Sequence, residues 1–483
     1  MGGGGESSLS QLDERADTGT SAAQIASPQR TASPRIAPLY KRLPHGPHKL
    51  ARDEVIRNQR TRIHGAMIET IAQDGYEKTS IKKVLALAGV SRRAFYEQFA
   101  NKEECFLTTF DLVAARTVKL VNEAYRAADG TLENRLRASF EKLTEEVGSS
   151  PQGATLAEAP MAGAAGMLHL CRAMGTFEQM LLSSFTHTPE VGALPLPVVR
   201  GIVGGLYEVI SIRLRTDRAK EIPTLAEEML QWTLLLGTSA PNDMAARLAE
   251  HARVSVRSTS GHTMNGYATA SVQAANGHSM NGHLNDCDAS HLDARGRLLG
   301  CVLRLTVLEG YGELSAVRIA DETDVSLDDF FELFENKQEC FMAAFDAIDD
   351  ELLRIAADPE LVSDDWPRAV RRTIGALMRH LADHPLHART IVAEVYAAGP
   401  DMIERSHELV HDIAPLLTEG APEGAGGMLA VDGVAGAIWH TVRCQVVGEQ
   451  IQRLPALADY VAYVVLTPFI GSEAAAELVT EDA

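Results

Sequence analysis

Two arginines, Arg92 and Arg93, stand between Ser91 and the small Ala94 in the stretch VSRRAFYEQF. A guanidinium can bond bidentately to guanine O6 and N7, and a small neighbour lets the backbone approach the base edges. Tyr96 and Lys102 can donate to phosphate, as can backbone amides at helix starts, here at Thr79-Ser80 and Asn101. These residue types fit recognition of duplex DNA, with Ser91, Arg92, Arg93 and Ala94 facing base edges. Upstream, Arg30 to Arg62 holds nine basic residues, Lys41, Arg42 and Lys49 among them, against two acids. That net +7 lies in a chain of formal charge −20, so attraction to phosphate is local and not a property of the whole molecule.

Arginines can read a groove only from an element that enters it, and the flanking residues specify one. Helical periodicity from about Val55 to Gln73 ends at Asp74-Gly75, where glycine suits a left-handed C′ position. Thr79-Ser80 supplies an N-cap for IKKVLALA, Gly89 ends that helix, and Ser91 caps the next, RRAFYEQF. Asn101 with Glu104 three residues on is a capping pattern for KEECFLTTF. Leu85, Val90, Phe95 and Phe99 face inward at this spacing. Two short helices joined by a glycine-containing turn form a helix-turn-helix, whose second helix reads the major groove with its first residues.

With these elements placed, GYEKTSIKKVLALAGVSRRAFYEQFANKEECFLTTFD resembles the DNA-binding head of TetR-type transcriptional regulators. The resemblance covers about residues 55–111 and includes the core G-V-S-x-x-x-F-Y-x-x-F-x-N-K-E. It implies a three-helix head on a helical ligand-binding body that dimerises. It also implies backbone contacts from Thr79, Tyr96 and Lys102 and base-facing positions at Arg92, Arg93 and Ala94. The basic KRLPHGPHK at 41–49 resembles an extension that some members carry before the first helix, which could enter a groove or lie along phosphates.

The head has an echo. GYGELSAVRIADETDVSLDDFFELFENKQECFMAAFD, from Gly310, aligns without a gap at an offset of 235. LAEAPMAG at 156–163 matches VAEVYAAG at 392–399, and GIVGGLYEVI at 201–210 matches GVAGAIWHTV at 433–442. The repeat is far longer than a solenoid period, and it predicts an all-α fold of two tandem TetR-like units, each a helix-turn-helix head plus a helical regulatory and dimerisation body. The expected divisions are a disordered tail with the basic arm at 1–48, a first head at 49–111, and a first body at 112–248. A flexible linker at 249–293, a degenerate second head at 294–346, a second body at 347–476 and a tail at 477–483 follow. Gly75 to Glu104 carries six basic residues and four acids, whereas Gly310 to Glu339 carries two basic residues and nine acids. Leu327, Asp328 and Asp329 occupy the reading positions, and Phe331 replaces Tyr96. Core positions persist while the charge inverts, so the second head is expected not to bind phosphate.

In the first body, Met161, Met167, His169, Met174, Phe177, Met180 and Phe185 could line an apolar ligand pocket. The ligand would be a small apolar molecule. Expected partners are a palindromic duplex operator and self-association, either as a pseudo-dimer within one chain or as a homodimer. Six scattered cysteines lack any C-x-x-C pair, and no phosphate loop, G-x-S-x-G or metal-ligand spacing occurs. No enzyme activity, metal or cofactor is therefore expected. The polar N-terminus lacks a signal-peptide pattern and no uninterrupted apolar run approaches eighteen residues, which predicts a cytoplasmic protein without a membrane span. An interaction protein whose acidic second head mimics DNA or binds a basic partner is the alternative reading.

Overall fold

The computed structural model describes residues 52–186, 194–216, 218–237, 293–358, 361, 365–422 and 430–481. The expected tail at 1–48 with Lys41 and Arg42, Lys49, Cys287 and all but the last residue of the expected linker at 249–293 lie outside the described residues. The described residues are helical, with short 3-10 turns and no strand among them. The first half holds α1 (Arg52–Lys78), α2 (Ile81–Ala88), α3 (Arg92–Tyr96), α4 (Lys102–Ala127), α5 (Leu132–Gly148), α6 (Pro151–Ala157), α7 (Gly163–Thr186), α8 (Leu196–Arg215) and α9 (Ala226–Gly237). The second holds α10 (Ala294–Glu309), α11 (Ala316–Thr323), α12 (Leu327–Leu333), α13 (Lys337–Ala356), α14 (Trp366–Asp383), α15 (Pro385–Val392), α16 (Pro400–Thr418), α17 (Ala430–Val447), α18 (Leu454–Ile470) and α19 (Ser472–Thr480).

Capping residues start the head helices where their side chains meet orphan amides. Ser80, Ser91 and Asn101 accept from the N–H groups of Lys83, Ala94 and Glu104. At the same offset of 235, Ser315, Ser326 and Asn336 accept from Arg318, Asp329 and Glu339. The turn position repeats as well. Gly89 is left-handed (φ 61°, ψ 42°), and Asp324 holds the same conformation (φ 52°, ψ 33°), which short polar residues tolerate better than other non-glycines. Gly75 takes the positive φ that glycine allows but departs from expectation in ψ: at φ 76°, ψ 170° it interrupts α1 outside the left-handed helical region. Likewise α3 spans five residues, shorter than the RRAFYEQF helix the sequence predicts, because the chain turns at Glu97 and Gln98.

The two heads differ in how they join the bodies. Val84, Val90, Phe95, Phe99 and Phe106 form a core of the first head's own, touched from the body mainly by the segment around Met161 and Ala162. The equivalent residues of the second head, among them Val325, Phe330, Phe334 and Phe341, belong to one apolar core continuous with both bodies.

The bodies pack against each other through α8 and α9 of the first half and α17 and α18 of the second. Glycines bring α8 and α17 to backbone contact: a Cβ on Gly204 would lie 2.6 Å from the Gly436 carbonyl oxygen, and one on Gly436 would lie 2.5 Å from that of Gly204. These two glycines are repeat mates. A second reciprocal pair surrounds them, since a Cβ on Gly201 would meet Val464 at 2.9 Å and one on Gly433 would meet Trp232 at 3.0 Å. Both Gly201/Gly433 and Trp232/Val464 are separated by the repeat offset of 232. Residue i touching j while j's mate touches i's mate is the signature of a two-fold contact, here made within a single chain.

One stretch among the described residues, Ile451–Ile470, does reach the length and mean hydropathy (1.2) of a membrane-crossing helix, although polar residues interrupt it. In this fold its residues Tyr460 to Thr467 are all buried, packed against α8, α9 and α14.

Candidate nucleic-acid interface and ligand cavity

Residues Ser91 to Tyr96 present one exposed edge of the first head. Ser91 is held by its cap to Ala94 N, 3.2 Å away, which fixes the start of α3. Arg93 leaves 90% of its side chain in solvent and touches only Glu97, one turn on, at 3.0 Å. Such an exposed pair contributes little to stability, so the guanidinium can exchange Glu97 for a stronger acceptor. Arg92 lies over the Tyr96 ring at 5.7 Å, and Tyr96 is itself exposed. Ala94 is half-buried behind them. Lys78 and Lys82 are exposed nearby. Phe95 and Phe99, both buried, anchor the segment from below.

Two residues assigned to phosphate point elsewhere. Thr79 is 3% exposed, and its hydroxyl donates to the Gly75 carbonyl at 2.7 Å, completing the turn that Gly75 opens. Ser80, not Thr79, is the cap. Lys102 reaches inward: its Nζ donates to the Tyr76 carbonyl at 3.2 Å and lies 4.1 Å from the Tyr76 ring centre. Partial burial lowers its pKa from the ordinary lysine value. Lys337 does the same in the acidic head, donating to Tyr311 and Leu314 carbonyls at 2.9 and 2.8 Å over the Tyr311 ring. The lysine survives charge inversion because it serves the fold.

In the second head the exposed edge carries Asp328, Asp329, Glu332 and Glu335. Arg318, its other basic residue between 310 and 339, is paired with Glu309 and Glu322. Leu327, Phe331 and Leu333 are exposed among these acids.

The first body encloses about 1010 Å³ of empty space, its mouth included, between α4, α5, α6, α7 and α8. Phe110, Leu136, Phe140, Met174, Phe177 and Leu206 line it, and its few polar groups are the hydroxyls of Thr117, Ser139, Tyr207 and Ser211. Of the residues expected to line a pocket, Met174, Phe177 and Met180 do so. Met167 and Phe185 are core, Phe185 lying against Gly237, and Met161 packs toward the first head. His169 is turned away to Asp111, its Nδ1 2.7 Å from Oδ1. The α4 stripe Phe110, Ala114, Thr117, Val121 has helical spacing readable in the sequence.

The cavity wall leads directly to the head. Leu156 and Ala157 line it, and the next residue, Glu158, accepts the Tyr76 N–H at 3.0 Å beside the Gly75 break.

Residues 65–109 match the family described as bacterial regulatory proteins, tetR family. The match lies within the first head, and a head of this description supports DNA binding and transcriptional regulation as the chain's role. Among solved structures, parts of this chain are similar to the fatty acid degradation regulator FadR of Bacillus halodurans (19% identity, 36% of this chain and 94% of that one, TM-score 0.33). They are also similar to FadR of Bacillus subtilis in complex with stearoyl-CoA (18%, 36% and 96%, TM-score 0.32). A TetR family transcription regulator from Marinobacter aquaeolei VT8 matches at 16% identity over 37% of this chain and 97% of that one, TM-score 0.27. No curated protein matches.

Behind the tetR-type head, the interface of the two bodies buries a polar cluster that sequence spacing could not reveal. Glu178 of α7 accepts from His440 Nε2 of α17 at 2.8 Å and pairs with Arg200 at 3.3 Å. Cys444 Sγ is 3.5 Å from the same imidazole nitrogen, so three ligand-type atoms lie within 4.8 Å of one another. Burial alone would lower the His440 pKa, but the Cys444 sulfur and the Glu178 carboxylate outweigh it and push the group up to about 9. A folded pKa above the unfolded value gives stability that is full below about pH 6.5 and is lost as pH rises through about 9. Urea unfolding at about pH 6 and about pH 10 is expected to show a loss on the order of 3 kcal/mol in the native chain that is absent in His440→Gln. An unchanged pH dependence in the variant would remove His440 from the account.

Proposed function

We propose that this regulator is a repressor that reads the major groove through Ser91, Arg92, Arg93 and Ala94 and is released by a small apolar ligand in the first body. The exposed, lightly engaged Arg92–Arg93 pair at the capped start of α3 carries this reading, because it offers bidentate donors where a groove-entering helix needs them. Tyr96 is the phosphate contact on the same edge, and Lys41, Arg42 and Lys49 add positive charge before the first helix. The divisions 1–48, 49–111, 112–248, 249–293, 294–346 and 347–476 are retained, whereas the expected tail at 477–483 is corrected: Leu478 and Val479 at the end of α19 are buried, so the second body runs on to Thr480.

Release follows from linkage. A ligand that fits the cavity in one arrangement of α6 better than another biases Glu158, and through it the Gly75–Tyr76 junction of the head. The second head stays off DNA, since its exposed edge repels phosphate. A second reading has one observation behind it: exposed Leu327, Phe331 and Leu333 among acids would suit a basic protein partner with apolar anchors.

The α8–α17 face is occupied within the chain, so one molecule brings one competent head. The operator is then a single asymmetric half-site, not the palindrome that pairing of identical heads requires. Selection from random duplexes with the full chain is expected to enrich one short, non-palindromic sequence. Enrichment of an inverted repeat would mean that two chains pair by another face, and no enrichment would sink the sequence-specific reading.

A further inference from the structure

Three side chains with metal-ligand chemistry converge where the two bodies meet. Glu178 comes from α7 of the first body, and His440 and Cys444 come from α17 of the second. No other set of three histidine, cysteine or carboxylate ligand atoms gathers this closely among the described residues. His440 and Cys444 are one helical turn apart, so α17 offers a nitrogen and a sulfur on one face. Glu178 stands 262 residues from His440, which is why no ligand spacing appears in the sequence. Duplication does not explain the set: Glu208 and Ile212 occupy the positions matching His440 and Cys444, so it occurs once.

The geometry fits a small, borderline-soft cation. In a tetrahedral zinc site, with Zn–S about 2.3 Å and Zn–N or Zn–O about 2.1 Å, neighbouring ligand atoms stand about 3.4–3.6 Å apart. Here His440 Nε2 is 3.5 Å from Cys444 Sγ and 2.8 Å from Glu178 Oε1. The second distance is a hydrogen bond, which opens by about half an ångström when a cation replaces the shared proton. Sγ is also 3.9 Å from Nδ1, so the sulfur stands over the ring, and the imidazole turns toward it to share a metal. Glu178 is oriented in advance, because its other oxygen, Oε2, accepts from Arg200 Nε at 3.3 Å. Ligating carboxylates are commonly held by such an outer partner. Magnesium and calcium favour all-oxygen sites, and the sulfur selects against them. Glu178 and His440 are buried, whereas half-buried Cys444 gives access from solvent.

We propose that Glu178, His440 and Cys444 form a site for zinc or a similar divalent transition ion that clasps the two bodies together. The cation enters and two protons leave for solvent, one from His440 Nε2 and one from the Cys444 thiol. The charge of the cluster, Arg200 included, is the same before and after, so the interface accepts the ion without a new unpaired charge. Water completes the tetrahedron on the Cys444 side. One ligand comes from the first body and two from the second, so the ion stabilises their pairing. None of the three residues lines the apolar cavity, and neither reading depends on the other.

Cobalt(II), which takes the same ligands as zinc and absorbs visible light, is the probe. Titration of the full chain with cobalt chloride at neutral pH is expected to produce a thiolate-to-cobalt charge-transfer band and the intense visible bands of tetrahedral cobalt. Zinc should displace both signals and raise the melting temperature of the native chain. Cys444→Ser is expected to remove the charge-transfer band and the zinc-dependent rise. It changes one atom at a half-buried position, so without added metal it should melt with the native chain. His440→Gln and Glu178→Gln should each weaken cobalt binding by about a hundredfold or more, since even outer partners of a metal contribute ten- to a hundredfold. Absence of the charge-transfer band in the native chain, or its persistence in Cys444→Ser, overturns the site. Undiminished affinity in Glu178→Gln places the ion on α17 alone and overturns the clasp.

Discussion

Replacing Arg92 and Arg93 together with alanine is expected to remove sequence-specific DNA binding, while the same change at Asp328 and Asp329 leaves affinity within about twofold. Each bidentate arginine discriminates bases by about 1–3 kcal/mol, so losing two corresponds to roughly a hundredfold or more in specific affinity. The residual nonspecific binding should keep a salt dependence, because exposed Lys78 and Lys82 remain. Neither arginine supports the fold: Arg93 touches only Glu97 and Arg92 only the Tyr96 face, so the melting temperature should hold. Fluorescence anisotropy with the selected duplex, at two salt concentrations, reads both quantities. A comparable loss in the aspartate variant would end the assignment of one competent and one silent head.

The second large effect is structural. Gly204→Val is expected to destabilise the paired bodies by about 3 kcal/mol or more, at or beyond the upper end for overpacking. The added Cβ would fall 2.5 Å from His440 Cβ and 2.6 Å from the Gly436 carbonyl. Neither neighbour is the movable tip of a long side chain, so the helices themselves must separate. Gly175→Ala provides the contrast. A Cβ there meets nothing within 4 Å on an unbroken helix, and helix propensity predicts a gain of about 0.5–1 kcal/mol. Urea unfolding of the two variants should move in opposite directions. If Gly204→Val unfolds like the native chain, the close crossing of α8 and α17 is not what joins the halves.

The head's helix starts were legible in the sequence because each rests on a local rule. Ser91 and Asn101 cap in the structure as their position before a helical run requires, and Gly89 takes the left-handed turn. The inverted charge of the second head was equally open to counting. The directions of Thr79 and Lys102 were not, because a polar residue next to a helix start can face phosphate or the chain's own carbonyls with the same spacing. Comparison of the two heads resolves Lys102: a lysine retained where phosphate is repelled, at Lys337, must have an internal task. The cavity was legible only in part, at Met174, Phe177 and Met180 of α7, because its wall draws on five helices and other expected residues, such as Met167 and Phe185, are core. Glu178 and His440 are separated by more than two hundred residues, and nothing local in the sequence couples them. The reciprocal glycines lie between these cases. Their repeat offset was visible, but that mates would touch each other required the fold.

The unequal cores of the two heads make the molecule mechanically lopsided. The second head, sharing one apolar interior with both bodies, behaves as ballast: displacing it would open the central core. The first head, with a core of its own, is an arm joined to the bodies by the continuous helix α4 and by the contacts at Gly75, Glu158 and the 3-10 turn around Met161. Strain arising anywhere in the fused bodies has one inexpensive outlet, and it is the arm that bears the arginines. A symmetric pair of heads must divide such a displacement between two joints; this chain concentrates it in one.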